Sequence, residues 1–111
     1  MIVQFRNKKL KSELQDLEHL SKRFDAKEVE SIIDILTRLE EVQFLSELPR
    51  NFRCHPLKGK MKGRFAIDVP ATGKRRGGNR LVLQPTEESS NETDPRKVSH
   101  ILILGIGDYH K

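Results

Sequence analysis

At 111 residues the chain has room for one ordinary domain around one core and not for two. Its single cysteine, Cys54, excludes an internal disulfide and a cysteine-built zinc site, and no apolar run approaches the ~18 residues that cross a bilayer. The net charge of +5 is unevenly spread: residues 50–84 carry ten Lys/Arg against one acid, Asp68, while 1–49 carry eight against ten and 85–111 three against five. Such an excess on one small surface repels itself unless a polyanion is the partner, and nucleic-acid backbone is the natural one. The start MIVQFRNKK sets apolar residues ahead of its charges, the reverse of a secretion signal. The expectation is a cytoplasmic protein in a reducing compartment with no membrane contact.

Residues 2–6, IVQFR, alternate well enough for a short strand, with Asn7 placed to cap a helix. Leu10, Leu14, Leu17 and Phe24 recur at helical spacings and predict one amphipathic helix over about 8–22. Asp25 and Glu28 form a capping-box pattern opening a second helix, whose stripe is Val29, Ile32, Ile33, Leu36 and Leu39, widened by Ile35 and Val42. The tight Phe24-Asp25 connection predicts an antiparallel hairpin of two helices. After Pro49 the period becomes two. Phe65, Ile67 and Val69 alternate with Arg64, Ala66 and Asp68, and Leu81 and Leu83 with Arg80, Val82 and Gln84. Between them PATGKRRGGN, residues 70–79, reads as a long, basic, flexible turn, and 85–97 as a polar excursion. Residues 98–106 are apolar on both faces, which predicts a central strand. The fold class is therefore α+β, a two-helix hairpin on one face of a small, mostly antiparallel sheet whose other face is open.

Strand parity sends Arg64 and Arg80 to the open face, and Asp108 and His110, two apart, share a face with each other. If the last strand pairs near the hairpin, His55, Lys58, Arg80, Asp108, Tyr109 and His110 converge at one end of the sheet. That set suits RNA phosphodiester cleavage without a metal or cofactor. Histidine serves at either end of the proton transfer, and Arg and Lys stabilise the charge growing on phosphoryl oxygens. Singly, a loop histidine such as His55 is more often a plain surface residue, and Tyr109 a packing residue with a wet hydroxyl. His100 reads as structural. Cys54 beside His55 suggests a nucleophile pair, but neighbouring strand residues point to opposite faces. No ligand spacing supports a metal site from His55, Asp108 and His110.

MIVQFRNKKLK, HPLKGKMKGRFAI and the closing GDYHK, taken together, make the chain resemble the HigB-type killer toxins, a branch of the RelE-like toxins of bacterial toxin–antitoxin systems. The resemblance implies a RelE-like domain over residues 1–111 and a ribosome-dependent endonuclease that cuts mRNA in the ribosomal A site. It also implies neutralisation by an antitoxin with a helix-turn-helix domain. The family's His-x-x-Lys falls on His55 and Lys58, its strand arginine on Arg80, and its terminal Asp-Tyr-His on Asp108, Tyr109 and His110. Lys60, Lys62 and Arg64 join Lys58 as RNA-phosphate contacts. Lys74, Arg75 and Arg76, within an insertion that the family's short hairpin turn lacks, become ribosomal RNA contacts. Two other functions use the same fold: a non-enzymatic nucleic-acid- or antitoxin-binding module, which needs the basic face but not the histidines, and a gyrase inhibitor.

Overall fold

The computed structural model describes residues 1–72, 74–86 and 94–107, with 74–77 as backbone only. Strand β1 (Ile2–Phe5) leads into α1 (Lys8–Leu14), started by the Asn7 side chain, which accepts the Leu10 N–H at 2.8 Å. The single helix expected over 8–22 is two. Asp16 adopts extended backbone and its carboxylate accepts the N–H groups of Glu18 and His19, opening α2 (Leu17–Arg23). An aspartate caps a new helix better than it sits inside one, since its side chain competes for backbone N–H groups. The break turns Leu17 outward, to 59% exposure, and seats Leu20, outside the predicted stripe, in the core at 1%.

Helix α3 (Ala26–Glu41) begins with the predicted capping box: Asp25 accepts the Glu28 N–H, and Glu28 accepts the Asp25 N–H in return. Val29, Ile32, Ile35 and Leu39 are buried while Ile33 is 45% exposed, so the buried stripe is centred on Ile35 rather than Ile33. The acids at this helix start also hold the sheet. Asn79 donates to Glu28 at 2.7 Å, the Thr72 N–H donates to Asp25, and the Ser31 hydroxyl reaches the Pro70 carbonyl.

Among the described residues, three α-helices thus pack on one face of a five-stranded sheet of order β1-β5-β4-β3-β2. Strand β2 is the pair His55–Pro56, β3 is Phe65–Ala71, β4 is Lys74–Pro85 and β5 is His100–Gly107. All neighbours are antiparallel except β1 and β5, and β5 is central as expected. Residues 70, 71 and 74–79 are strand rather than loop: Ala71 pairs with Lys74 and Val69 with Asn79, so the insertion mostly lengthens the hairpin across an irregularity at Pro70, which lacks a donor. Much of the 85–97 excursion, residues 87–93, lies outside the described residues. The core joins Phe65, Ile67, Val69, Leu81 and Leu83 to Ile101, Ile103 and Ile106 under the helices. No helix among the described residues is long and apolar enough to cross a membrane.

The Glu28 N–H, with Thr72 adding to it, holds the Asp25 carboxyl below its ordinary value of 3.8. A depressed folded-state value means that this stabilisation is fully present above 3.8 and is lost as the pH falls through the lower folded value. Asp25→Ala is expected to lower the thermal midpoint at pH 7, and the gap from the parent to narrow in melts below that range.

Candidate active site

The sheet face away from the helices carries two cross-strand rows. His55, Ala66, Val82 and Gly105 form the first through successive pairings, and Asp68, Arg80 and Gly107 the second. Paired residues share a face, so His55 and Arg80 lie on the same side, the face away from the helices to which parity assigned Arg80. Strand spacing and rise put their Cα atoms about 12 Å apart, a gap that two side chains and one phosphodiester can fill. Gly105 and Gly107 add no side chain to their rows.

His55 is delivered by an unusual turn. After Pro49 a 3-10 turn over Arg50–Phe52 ends on Arg53, whose φ of 55° and ψ of 43° are left-handed. Among the described residues it is the only non-glycine with positive φ. For a residue with a Cβ that conformation costs about 1–2 kcal/mol. It sets the Arg53 carbonyl 2.7 Å from His55 Nδ1. A carbonyl only accepts, so Nδ1 carries the proton and donates, and the Nε2 of the neutral ring is left as the acceptor. That is the state required of a general base.

Three residues on, Lys58 opens another 3-10 turn, Gly59–Met61, with Gly59 and Gly63 taking the left-handed backbone that its corners require. Lys58, Lys62 and Arg64 line a cavity of about 370 Å³ whose apolar wall includes Leu57 and Phe65. Arg64 is held by Gln84 Oε1 at 3.3 Å and lies beside the Met61 sulfur. Lys60 is exposed and lies outside the cavity wall. The structure therefore places His55 and Arg80 on one face, with Lys58, Lys62 and Arg64 in the cavity beyond β2. Asp108, Tyr109 and His110 lie outside the described residues, as do the side chains of Lys74, Arg75 and Arg76. Gly107, opposite Arg80, immediately precedes Asp108.

Two residues escaped the sequence reading. Asp68, 6% exposed, has Arg53 Nε 3.2 Å from one carboxylate oxygen and Arg80 Nε 3.3 Å from the other. The Arg53 contact is a hydrogen bond, whereas the Arg80 contact is an ion pair without hydrogen-bond alignment. A carboxylate this buried needs such partners, since stripping one from a buried pair typically costs about 3–5 kcal/mol. The available signal was Asp68 standing alone among ten basic residues in 50–84. Its meaning required the β3–β4 register that sets it opposite Arg80.

Cys54 plays no such part: burial pushes its thiol up to about 12. Among the described residues no three His, Cys, Asp or Glu side chains group as metal ligands.

Solved structures share this fold. A YoeB/ParE toxin from Agrobacterium tumefaciens superposes with a TM-score of 0.54 at 17% identity, covering 99% of this chain and 100% of that one. The fold is the RelE-like toxin fold. The YoeB dimer from Staphylococcus aureus matches with a TM-score of 0.52 at 17% identity, over 100% of this chain and 98% of that one. A YafQ mutant from E. coli matches at 0.51 and 15%, over 96% and 91%. No protein-family model and no curated protein matches the sequence. The RelE-like fold thus carries the likeness, and the side chains must carry the chemistry.

Two measurements check the local geometry. Ring ¹⁵N shifts of His55 at neutral pH are expected to report the Nδ1–H tautomer, and the Nε2–H form would contradict the Arg53 bond. Native Cys54 is expected to resist iodoacetamide at pH 8 and to react once the chain is unfolded.

Proposed function

We propose that this chain is a HigB-type endoribonuclease that cuts mRNA in the ribosomal A site and so inhibits translation. The observation that carries the reading is His55, held by the Arg53 carbonyl with Nε2 left to accept a proton, on the same sheet face as Arg80, away from the helices. The RelE-like fold and the basic surface of residues 50–84 agree with it.

In the proposed reaction a base removes the proton from a ribose 2′-hydroxyl, whose oxygen bonds to the adjacent phosphorus as the bond to the 5′-oxygen breaks. An acid returns a proton to that leaving oxygen, giving a 2′,3′-cyclic phosphate and a free 5′-hydroxyl with no other reactant. His55 takes one proton transfer, and Asp108 and His110 the other. Lys58 and Arg80 bind the phosphate and stabilise the charge gained at the phosphorane. Tyr109 stacks on a base or holds the substrate strand. Lys60, Lys62 and Arg64 contact neighbouring phosphates, and Lys74, Arg75 and Arg76 reach ribosomal RNA. The proposed protein partner is a cognate helix-turn-helix antitoxin. The Staphylococcus aureus YoeB, which shares this fold at a TM-score of 0.52 and 16% identity, was solved as a complex with YefM.

The test is a translation reaction with a reporter message, followed by mapping of the cut ends. The wild-type chain is expected to cut only translated message, and His55→Ala or His110→Ala to slow cutting by about 10²- to 10⁴-fold. Undiminished cutting by both variants would remove the catalytic assignment. Intact message with DNA damage in cells would indicate a gyrase inhibitor, and growth arrest unchanged in both variants without cutting would indicate a binding module.

A further inference from the structure

The grouping of Arg53, Asp68 and Arg80 on the sheet face away from the helices is more than a buried ion pair. Asp68 is the one acid in the basic segment, and it receives Arg53 from the turn before β2 and Arg80 from the neighbouring strand, one on each oxygen. Both arginines approach through Nε. A guanidinium has five N–H donors, and among the described residues the terminal Nη groups of Arg53 and Arg80 have no hydrogen-bond partner. The two side chains are 44% and 21% exposed, while that of Asp68 is 7% exposed. The anion is thus interior and the cations border the face. Backbone strain at Arg53 fits the same picture, because a left-handed non-glycine residue persists where its surroundings demand it.

We propose that Asp68 is a positioning residue that holds Arg53 and Arg80 as a two-guanidinium clamp on one RNA phosphodiester, making Arg53 a substrate-binding residue. This rests on the RNA-cleaving reading for the choice of ligand. Two guanidiniums placed together repel, and a carboxylate between them offsets half of their charge. The group is left with one net positive charge, which matches the single negative charge of a phosphodiester rather than the double charge of a terminal phosphate. A hydrogen bond from Nε to Asp68 orients the Arg53 fork, and the ion pair holds the Arg80 guanidinium beside it, so that less rotamer freedom is lost when the Nη groups meet the anion. The same Arg53 presents its carbonyl to His55, so the clamp and the base are set by one residue.

The test is binding of a short single-stranded oligoribonucleotide, made uncleavable by 2′-deoxy substitution, titrated over a range of salt. Arg53→Gly removes the guanidinium and keeps a residue at ease in the left-handed turn. It is expected to weaken binding about tenfold at low salt and to lower the slope of log affinity against log salt by roughly 0.7. Asp68→Asn raises the net positive charge, so charge alone predicts tighter binding, whereas the clamp predicts weaker binding. Asp68→Glu is expected to recover part of the loss, and the Arg53→Gly, Asp68→Asn double variant to lose less than the sum of the two. An unchanged slope in Arg53→Gly, tighter binding by a folded Asp68→Asn, or no binding by the wild type would each overturn the clamp. If Asp68→Asn fails to fold, as read by circular dichroism, Arg53→Gly decides. Cleavage plays no part in the readout. A wild type that grips the oligonucleotide as expected but never cuts message would sink the enzymatic reading alone, and one that cuts while indifferent to Arg53 and Asp68 would sink the clamp alone.

Discussion

Strand β5 is the member on which the other layers depend. It lies between β1 and β4, paired on both edges, and its core-facing isoleucines meet the helices. Its alternation is interrupted once. Leu83 pairs with Ile103 and Val82 with Gly105, leaving Leu104 as an extra residue. This bulge moves the inward positions from Ile101 and Ile103 to Ile106. The shift brings two glycines, Gly105 and Gly107, into the rows of the open face, beside Val82 and Arg80. It therefore serves both faces: the helices keep an unbroken apolar floor, and β5 adds no side chain to the two rows on the opposite side. Arg23, from the end of α2, donates to the Ile106 carbonyl at 3.0 Å and ties the strand just past its bulge to the helical layer.

Much of this was legible in the residues. The period of two over 65–69 and 80–84 names the core side of the hairpin correctly, because one face is buried and a slip of one residue would expose every apolar side chain. The Asp25/Glu28 box is a local hydrogen-bonding device and reads locally. The apolar 98–106 run identifies a central strand for the same reason of burial. The failures also have physical causes. Helical spacing continues through Asp16, so periodicity cannot see the cap that divides α1 from α2. Residues 70–79 have turn-like composition, but pairing from both sides and the anchor on Asp25 and Glu28 draw 70, 71 and 74–79 into strands. Strand β2 has two residues, too few to have a period, and nothing in the type of Arg53 announces a left-handed backbone.

The site divides along the same line. The face of Arg80 follows from strand parity, whereas the place of His55 and the surroundings of Asp68 come only from register, which is a property of two strands rather than one. Composition held the hint without its meaning. A lone acid in a basic segment reads as noise until the pairing of β3 with β4 sets it between two guanidiniums. Charge density suggests what class of partner to expect, and register suggests where a single phosphate would sit.

The parallel pairing of β1 with β5 has a temporal side. Ile2 lies against His100 and Phe5 against Ile103, so a strand made first waits for a partner made almost the whole chain later. Until then β1 and β4 are two open edges with nothing between them, and the helices have only part of a floor to pack on. Closing contacts so distant along the chain is slow and cannot begin while the intervening residues are still being added. The sheet is therefore closed late, once β5 has been made. A protein that attacked translation and was built in this order would have no finished sheet until its β5 had been made.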